Sequence, residues 1–130
     1  MIMNYKDLNV YQRAYKVAID LHLYLKSDKL KMSPQQAEEF KRLSREILAN
    51  IAEGFSQRTP KAKRFFNFKA LDAVRRMIMD LDFLHDIQSL PADEYQHFSG
   101  EYEICAKQLF KLNQAILNKE MEKEPEPAQA

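Results

Sequence analysis

From Lys41 to Arg76 the chain carries ten basic residues, Lys41, Arg42, Arg45, Arg58, Lys61, Lys63, Arg64, Lys69, Arg75 and Arg76, against three acids, a net of +7. From Met77 to Ala106 it carries seven acids (Asp80, Asp82, Asp86, Asp93, Glu94, Glu101, Glu103) and no Lys or Arg, a net of −7. The whole chain is only +1. A concentrated basic stripe can hold a polyanion that the average charge would not suggest. Alternatively the two blocks face each other, within one chain or between copies, and neutralise. Phe65, Phe66 and Phe68 are interleaved with the cations and could stack on bases, plug the end of a bundle, or make a subunit contact. Lys61, Lys63 and Arg64 fall in the first turn of a predicted helix, where the dipole disfavours cations. Their placement costs that helix something and makes its start electropositive, a natural phosphate site. Arg75 and Arg76 extend the basic surface over about 20 Å at ~1.5 Å per residue.

Catalytic chemistry finds less to stand on. His22, His85 and His97 fall on three different predicted helices, none with a metal-ligand partner at the right spacing on its own helix. A di-iron bundle needs Glu-x-x-His on two helices, and Glu94-Tyr95-Gln96-His97 stands alone. There is no Gly-rich phosphate loop. The lone Cys105 excludes an internal disulfide and a cysteine-rich metal site, and its place on a helix seam suits a small core residue. Tyr11 and Tyr15 read as packing residues with solvated hydroxyls. No catalytic residue, cofactor or metal is expected.

These residues need elements to position them, and apolar spacing favours helices throughout. With 130 residues and 45% hydrophobic content, one domain can bury a core without staples. Two glycines leave little provision for hairpins, against an all-β fold. No stretch is long and apolar enough for a bilayer, and the start, Met1 to Asp7, lacks a signal-peptide core. A reducing cytoplasm fits, and no membrane contact is expected.

The spacing predicts an up-down-up-down four-helix bundle over residues 1–118, with helices over about 9–30, 34–57, 60–89 and 91–119. Asn9 and Gln12 read as a capping box for the first helix, with Val10, Ala14, Val17, Leu21 and Leu25 as its stripe. Ser33-Pro34 and Thr59-Pro60 are cap-then-proline starts for the second and third. The fourth shows Tyr95, Phe98, Tyr102, Cys105, Leu109, Leu112 and Ile116 in steps of three and four, a bundle seam. Residues 119–130 read as a disordered charged tail.

The run Arg45-Glu46-Ile47-Leu48-Ala49-Asn50-Ile51-Ala52-Glu53-Gly54-Phe55, then Thr59-Pro60 and Phe65-Phe66, resembles the four-helix-bundle family encoded in intervening sequences of bacterial 23S ribosomal RNA. The opening Tyr5-Lys6-Asp7-Leu8-Asn9-Val10-Tyr11-Gln12-Arg13-Ala14 resembles that family's start, and the likeness covers roughly residues 5–117. The superfamily includes the accessory variability determinant proteins of diversity-generating retroelements. The resemblance implies a non-enzymatic, ring-forming homo-oligomer, a pentamer by analogy, associated with RNA or DNA and with a reverse transcriptase. The alternative is a structural interaction module that does not touch nucleic acid. The expected nucleic-acid set is Lys41, Arg45, Arg58, Lys61, Lys63, Arg64, Lys69, Arg75 and Arg76. Asn50, Glu53, Gly54, Phe65 and Phe66 are the expected motif or oligomer contacts, with Asn50 bordering the core and Gly54 ending its helix in the left-handed region. One departure stands out: where the family shows a Gly-Ser pair and then Glu, this chain has Asp72-Ala73 and then Arg76. That makes the surface more basic.

Overall fold

The computed structural model describes residues 4–27 and 30–123. Four helices follow a short 3-10 turn at Tyr5–Asp7: α1 (Asn9–Leu25), α2 (Pro34–Ser56), α3 (Pro60–Asp86) and α4 (Ala92–Lys123). α1 packs on α2, α2 on α3, α3 on α4 and α4 on α1, while α1 and α3 lie diagonally across the shared core, with no backbone approach within 8 Å. That adjacency is a closed square of antiparallel helices, the up-down-up-down bundle. The order of cross-links fixes the direction: Arg64 reaches Glu120, Asn67 reaches Asn113 and Tyr95 reaches Asp82.

Local chemistry sets most boundaries. Ser33 Oγ accepts from the Gln36 N–H at 3.1 Å and Thr59 Oγ1 from the Ala62 N–H at 3.2 Å, each with a proline at the first helical position. Both caps satisfy an amide that the helix itself leaves unpaired. The start of α1 differs from the expected Asn9–Gln12 box. Leu8 accepts the first helical bond, from the Gln12 N–H, so Asn9 already lies inside the helix and has no end to cap. Asn4 instead caps the 3-10 turn, and Gln12 Nε2 donates back to the Lys6 carbonyl.

α1 stops at Leu25 and α3 at Asp86, both short of expectation. Beyond α3, Gln88 turns left-handed at φ 63° and lets Ser89 N–H reach the Leu84 carbonyl, a non-glycine version of the usual helix stop. α4 is longer than expected and runs through Lys119 to Lys123. There Glu120 holds Arg64 of α3 at 2.9 Å, which ties the helix end down. Residues 124–130 of the expected tail lie outside the described residues.

The core draws on all four helices: Leu21, Phe40, Leu43, Ile47, Ile51, Met77, Leu81, Tyr102 and Leu109 are essentially solvent-free, while Tyr95, Leu112 and Ile116 of the expected fourth-helix seam are only half-buried. Burial of this kind is the main favourable term in folding. One polar contact lies at the α1–α2 seam. Ser44 Oγ donates to the Lys41 carbonyl, and His22 Nε2 lies 2.9 Å from the same hydroxyl. Burial, then the cations Arg45, Lys41 and Lys26, hold the His22 imidazole below its usual 6.5. Above that pH His22 is neutral in both folded and unfolded chains and contributes nothing. As pH falls below it, the unfolded chain takes up the proton first, so stability is lost. Between about pH 7 and pH 5 the wild type is expected to lose more thermal stability than His22→Gln, and equal losses in paired melting curves would contradict this.

Candidate nucleic-acid interface

The +7 block does not form one surface. A helix turns about 100° per residue, so neighbours in sequence point to different sides. Lys41 and Arg45 lie on the α1-facing edge of α2, around His22. Arg42 is held by Glu39 at 2.7 Å and by Glu46 at 2.9 Å, so its charge is cancelled locally. Arg58 and Lys61 are exposed at the α2–α3 corner. Lys69, Arg75 and Arg76 are exposed along the outer side of α3.

Lys63 and Arg64 depart from the expected set. Lys63 is half-buried, and its Nζ donates to the Phe55 carbonyl at 2.9 Å. It thereby satisfies a carbonyl in the last turn of α2 and sits where that helix's dipole is negative. Arg64 is drawn to Glu120 of α4. Both cations serve the junction of helices, which explains their otherwise unfavourable place in the first turn of α3. Lys63→Met is expected to lower stability by about 1 kcal/mol while leaving any nucleic-acid affinity unchanged. A matching loss of affinity would put Lys63 back on the binding surface.

Between the exposed cations stand aromatic rings. Phe65 is 57% and Phe68 48% exposed, so neither plugs the bundle end. Phe66 is half-buried and meets Phe65 edge-on at 5.2 Å. Lys69 Nζ lies 5.6 Å from both ring centroids, over the faces of the aromatics. Exposed cations and rings therefore share the outer side of α3, with Asp72 exposed among them.

The acidic block does not neutralise this surface from within. Asp82 accepts from the Tyr95 hydroxyl at 2.7 Å, and Glu101 pairs with Arg13 of α1 at 2.6 Å. Asp80 and, on α2, Glu39 both feel Arg76, yet burial and then the nearby Glu39 carboxylate push the Asp80 carboxyl up.

The motif residues have local work. Asn50 is buried and its Nδ2 donates to the Glu46 carbonyl one turn back. Glu53 is exposed and accepts from Gln57. Gly54 is not the expected left-handed stop: no glycine here has positive φ, and α2 continues past it. A Cβ at Gly54 would come within 2.8 Å of Asn67 Oδ1 and within 3.3 Å of the Lys63 carbonyl and Phe66 Cβ. The glycine lets α3 approach. Elsewhere in a helix Gly→Ala gains roughly 1 kcal/mol. Here overpacking outweighs that, and Gly54→Ala is expected to lower stability by about 1–2 kcal/mol. An unchanged or raised melting temperature would contradict this close approach.

Asn67 and Asn113 were not expected to matter. Both are buried; Asn67 Nδ2 donates to Asn113 Oδ1 at 2.9 Å, and Asn113 Nδ2 donates to the Arg64 carbonyl at 3.1 Å. This polar link joins α3 to α4.

Other candidates for chemistry are occupied or sealed. Burial pushes the Cys105 thiol up to about 12, so it is not a thiolate at neutral pH. His85 stacks on Tyr95 at 4.2 Å and its Nδ1 lies 3.3 Å from the Leu90 carbonyl. His97 meets Asp20 at 3.0 Å. Among the described residues no three of His, Cys, Asp and Glu converge as a metal site, and no helix is long and apolar enough to cross a membrane.

Comparison with known proteins gives a consistent picture. The model of the 23S rRNA-intervening sequence protein family matches residues 6–111. No curated protein matches the chain closely. Among solved structures, a protein of unknown function from the S23 ribosomal protein family of Bacteroides thetaiotaomicron is similar, with TM-score 0.75 and 17% identity over 84% of this chain and 98% of that one. At that identity the likeness speaks for the fold alone.

Proposed function

We propose that this chain, which belongs to the 23S rRNA-intervening sequence protein family, is a homo-oligomeric nucleic-acid-binding accessory protein without catalytic activity. The observation that carries the proposal is the outer face of α3, where exposed Phe65 and Phe68 stand among Lys61, Lys69, Arg75 and Arg76. Cations there neutralise phosphates, and the rings offer faces to unpaired bases. Arg58 continues the surface at the α2–α3 corner. Arg76, which stands where the family usually has an acid, adds to it.

The likeness to the accessory variability determinant proteins supplies the finer reading: a cytoplasmic pentamer that presents nucleic acid to a reverse transcriptase. The rival is a structural interaction module with no nucleic-acid contact, and the internal use of Lys63 and Arg64 favours it. Filter binding of the purified protein to short single-stranded RNA and DNA at low salt decides between them. Retention of either strand is expected. No retention would leave the module reading standing and sink this one.

A further inference from the structure

A recess of about 230 Å³ opens between α2 and α3. Its floor is apolar, made by the buried Leu43 of α2 and Ala73 of α3. Its walls are charged. Lys69, Asp72 and Arg76 step by three and four along α3, so they stand in one row, and Glu46 joins them from α2. Glu46 already accepts from Arg42. Asp72 is exposed and forms no salt bridge among the described residues, although a cation stands three residues before it and another four after it. A carboxylate in the middle of a phosphate-binding row weakens the hold on phosphates. An acceptor placed there suits hydrogen-bond donors instead, and a single strand offers those on its bases. Phe65 lies one turn before Lys69 in the same row and Phe68 one turn before Asp72, so exposed rings adjoin the recess.

We propose that this recess takes a guanine base of a bound single strand, with Asp72 accepting from its Watson–Crick edge and a flanking cation, Lys69 or Arg76, donating to O6 and N7. An ionised carboxylate only accepts. Guanine sets two donors, N1–H and N2–H, side by side on that edge, and the two carboxylate oxygens take both in a charge-assisted contact. Adenine, cytosine, thymine and uracil each set an acceptor beside their donor, so the same carboxylate gains one hydrogen bond and meets one repulsion. The acceptors of guanine, O6 and N7, are the atoms that Arg or Lys contacts best. The recess is smaller than the ~300–1,000 Å³ of pockets that bury drug-sized ligands, which suits a single base. Phe65 or Phe68 stacks on that base or its neighbour, and the remaining cations hold the flanking phosphates. This assignment rests on the nucleic-acid role proposed above, which by itself is indifferent to base.

The test is fluorescence anisotropy at low salt on the full chain, with labelled short oligothymidines that hold one central guanine, adenine, cytosine or hypoxanthine. The guanine strand is expected to bind at least about fivefold tighter than the adenine, cytosine and all-thymine strands. Adenine controls for the stronger stacking of a purine. Hypoxanthine keeps O6, N7 and N1–H but lacks the second donor, so most of the preference disappears with no change to the protein. Asp72→Asn, at an exposed helix position, is expected to keep its helical circular dichroism and to lose the guanine preference. It is also expected to bind the all-thymine strand more tightly, since one repelling charge has gone. An Asp72 with a merely structural role would leave the ratio between strands where it was. Free guanosine monophosphate lacks the flanking phosphates and is expected to displace the guanine strand only at concentrations at least about a hundredfold higher. Equal binding of all strands, or a guanine preference that survives in Asp72→Asn or on hypoxanthine, overturns the guanine recess and leaves base-neutral binding standing. Displacement by the mononucleotide at strand-like concentrations overturns it in favour of a free-nucleotide site. No binding of any strand overturns this assignment and the nucleic-acid role together.

Discussion

Replacing Lys69, Arg75 and Arg76 together by Glu is expected to weaken single-stranded RNA or DNA binding by at least about a hundredfold, with helix content unchanged. All three side chains are exposed and none is tied to a partner acid in a salt bridge, so the change removes surface charge together with the contact of Lys69 on the Phe65 and Phe66 rings. The steepness of salt dependence should fall as well, by about two in the slope of log affinity against log salt, since each lost single-strand phosphate contact contributes about 0.7. Phe65→Ala and Phe68→Ala act differently. Each removes a stacking face worth about 1–3 kcal/mol per base and leaves the salt slope alone. Fluorescence anisotropy with labelled oligonucleotides reads both quantities. Full affinity in the triple variant would remove α3 as the interface.

Asn113→Ala is expected to be the most destabilising of the single changes considered, by about 3–4 kcal/mol. It deprives the Asn67 amide of its acceptor and the Arg64 carbonyl, already bonded within α3, of its second donor, deep between α3 and α4. A buried polar group left without a partner costs about 1–3 kcal/mol, and the lost volume adds to that. For a chain of this size the melting temperature should fall by roughly 10 °C. A double-mutant cycle with Asn67→Ala should show strong coupling, because removing both asparagines leaves neither side-chain amide stranded without the other. Independent, additive losses would contradict a shared network.

The elements were more legible in the sequence than the surface they carry. Ser33-Pro34 and Thr59-Pro60 located two helix starts because cap chemistry is local. Asn9 misled because the same residue type can cap or simply begin a helix, and the 3-10 turn that decides between them lies upstream. Gly54 misled for a related reason. Glycine serves left-handed turns and close helix contacts alike, and only the position of Asn67 across the gap separates the two. The charge block was legible as composition but not as a face. Lys63 and Arg64 turn away from the outer side of α3 toward the end of α2 and toward Glu120, and the partners that capture them lie on other helices. Asn113 sits four residues after Leu109 on the fourth-helix seam, so its burial could have been read from spacing alone. Its residue type hid it beside the more apolar Leu112.

The acidic block also takes on a different meaning. It neither faces the basic stripe within one chain nor spreads evenly. Its α3 part, Asp80, Asp82 and Asp86, lies alongside the exposed Met79, Phe83 and Ile87, beyond Arg76.

The salt dependence of wild-type binding to a short labelled single strand tests the central claim most directly. Arg58, Lys61, Lys69, Arg75 and Arg76 predict tight binding at low salt and a linear fall of log affinity with log salt, with a slope of about −3.5. No binding at low salt, or binding that salt does not change, would contradict a nucleic-acid role for this surface.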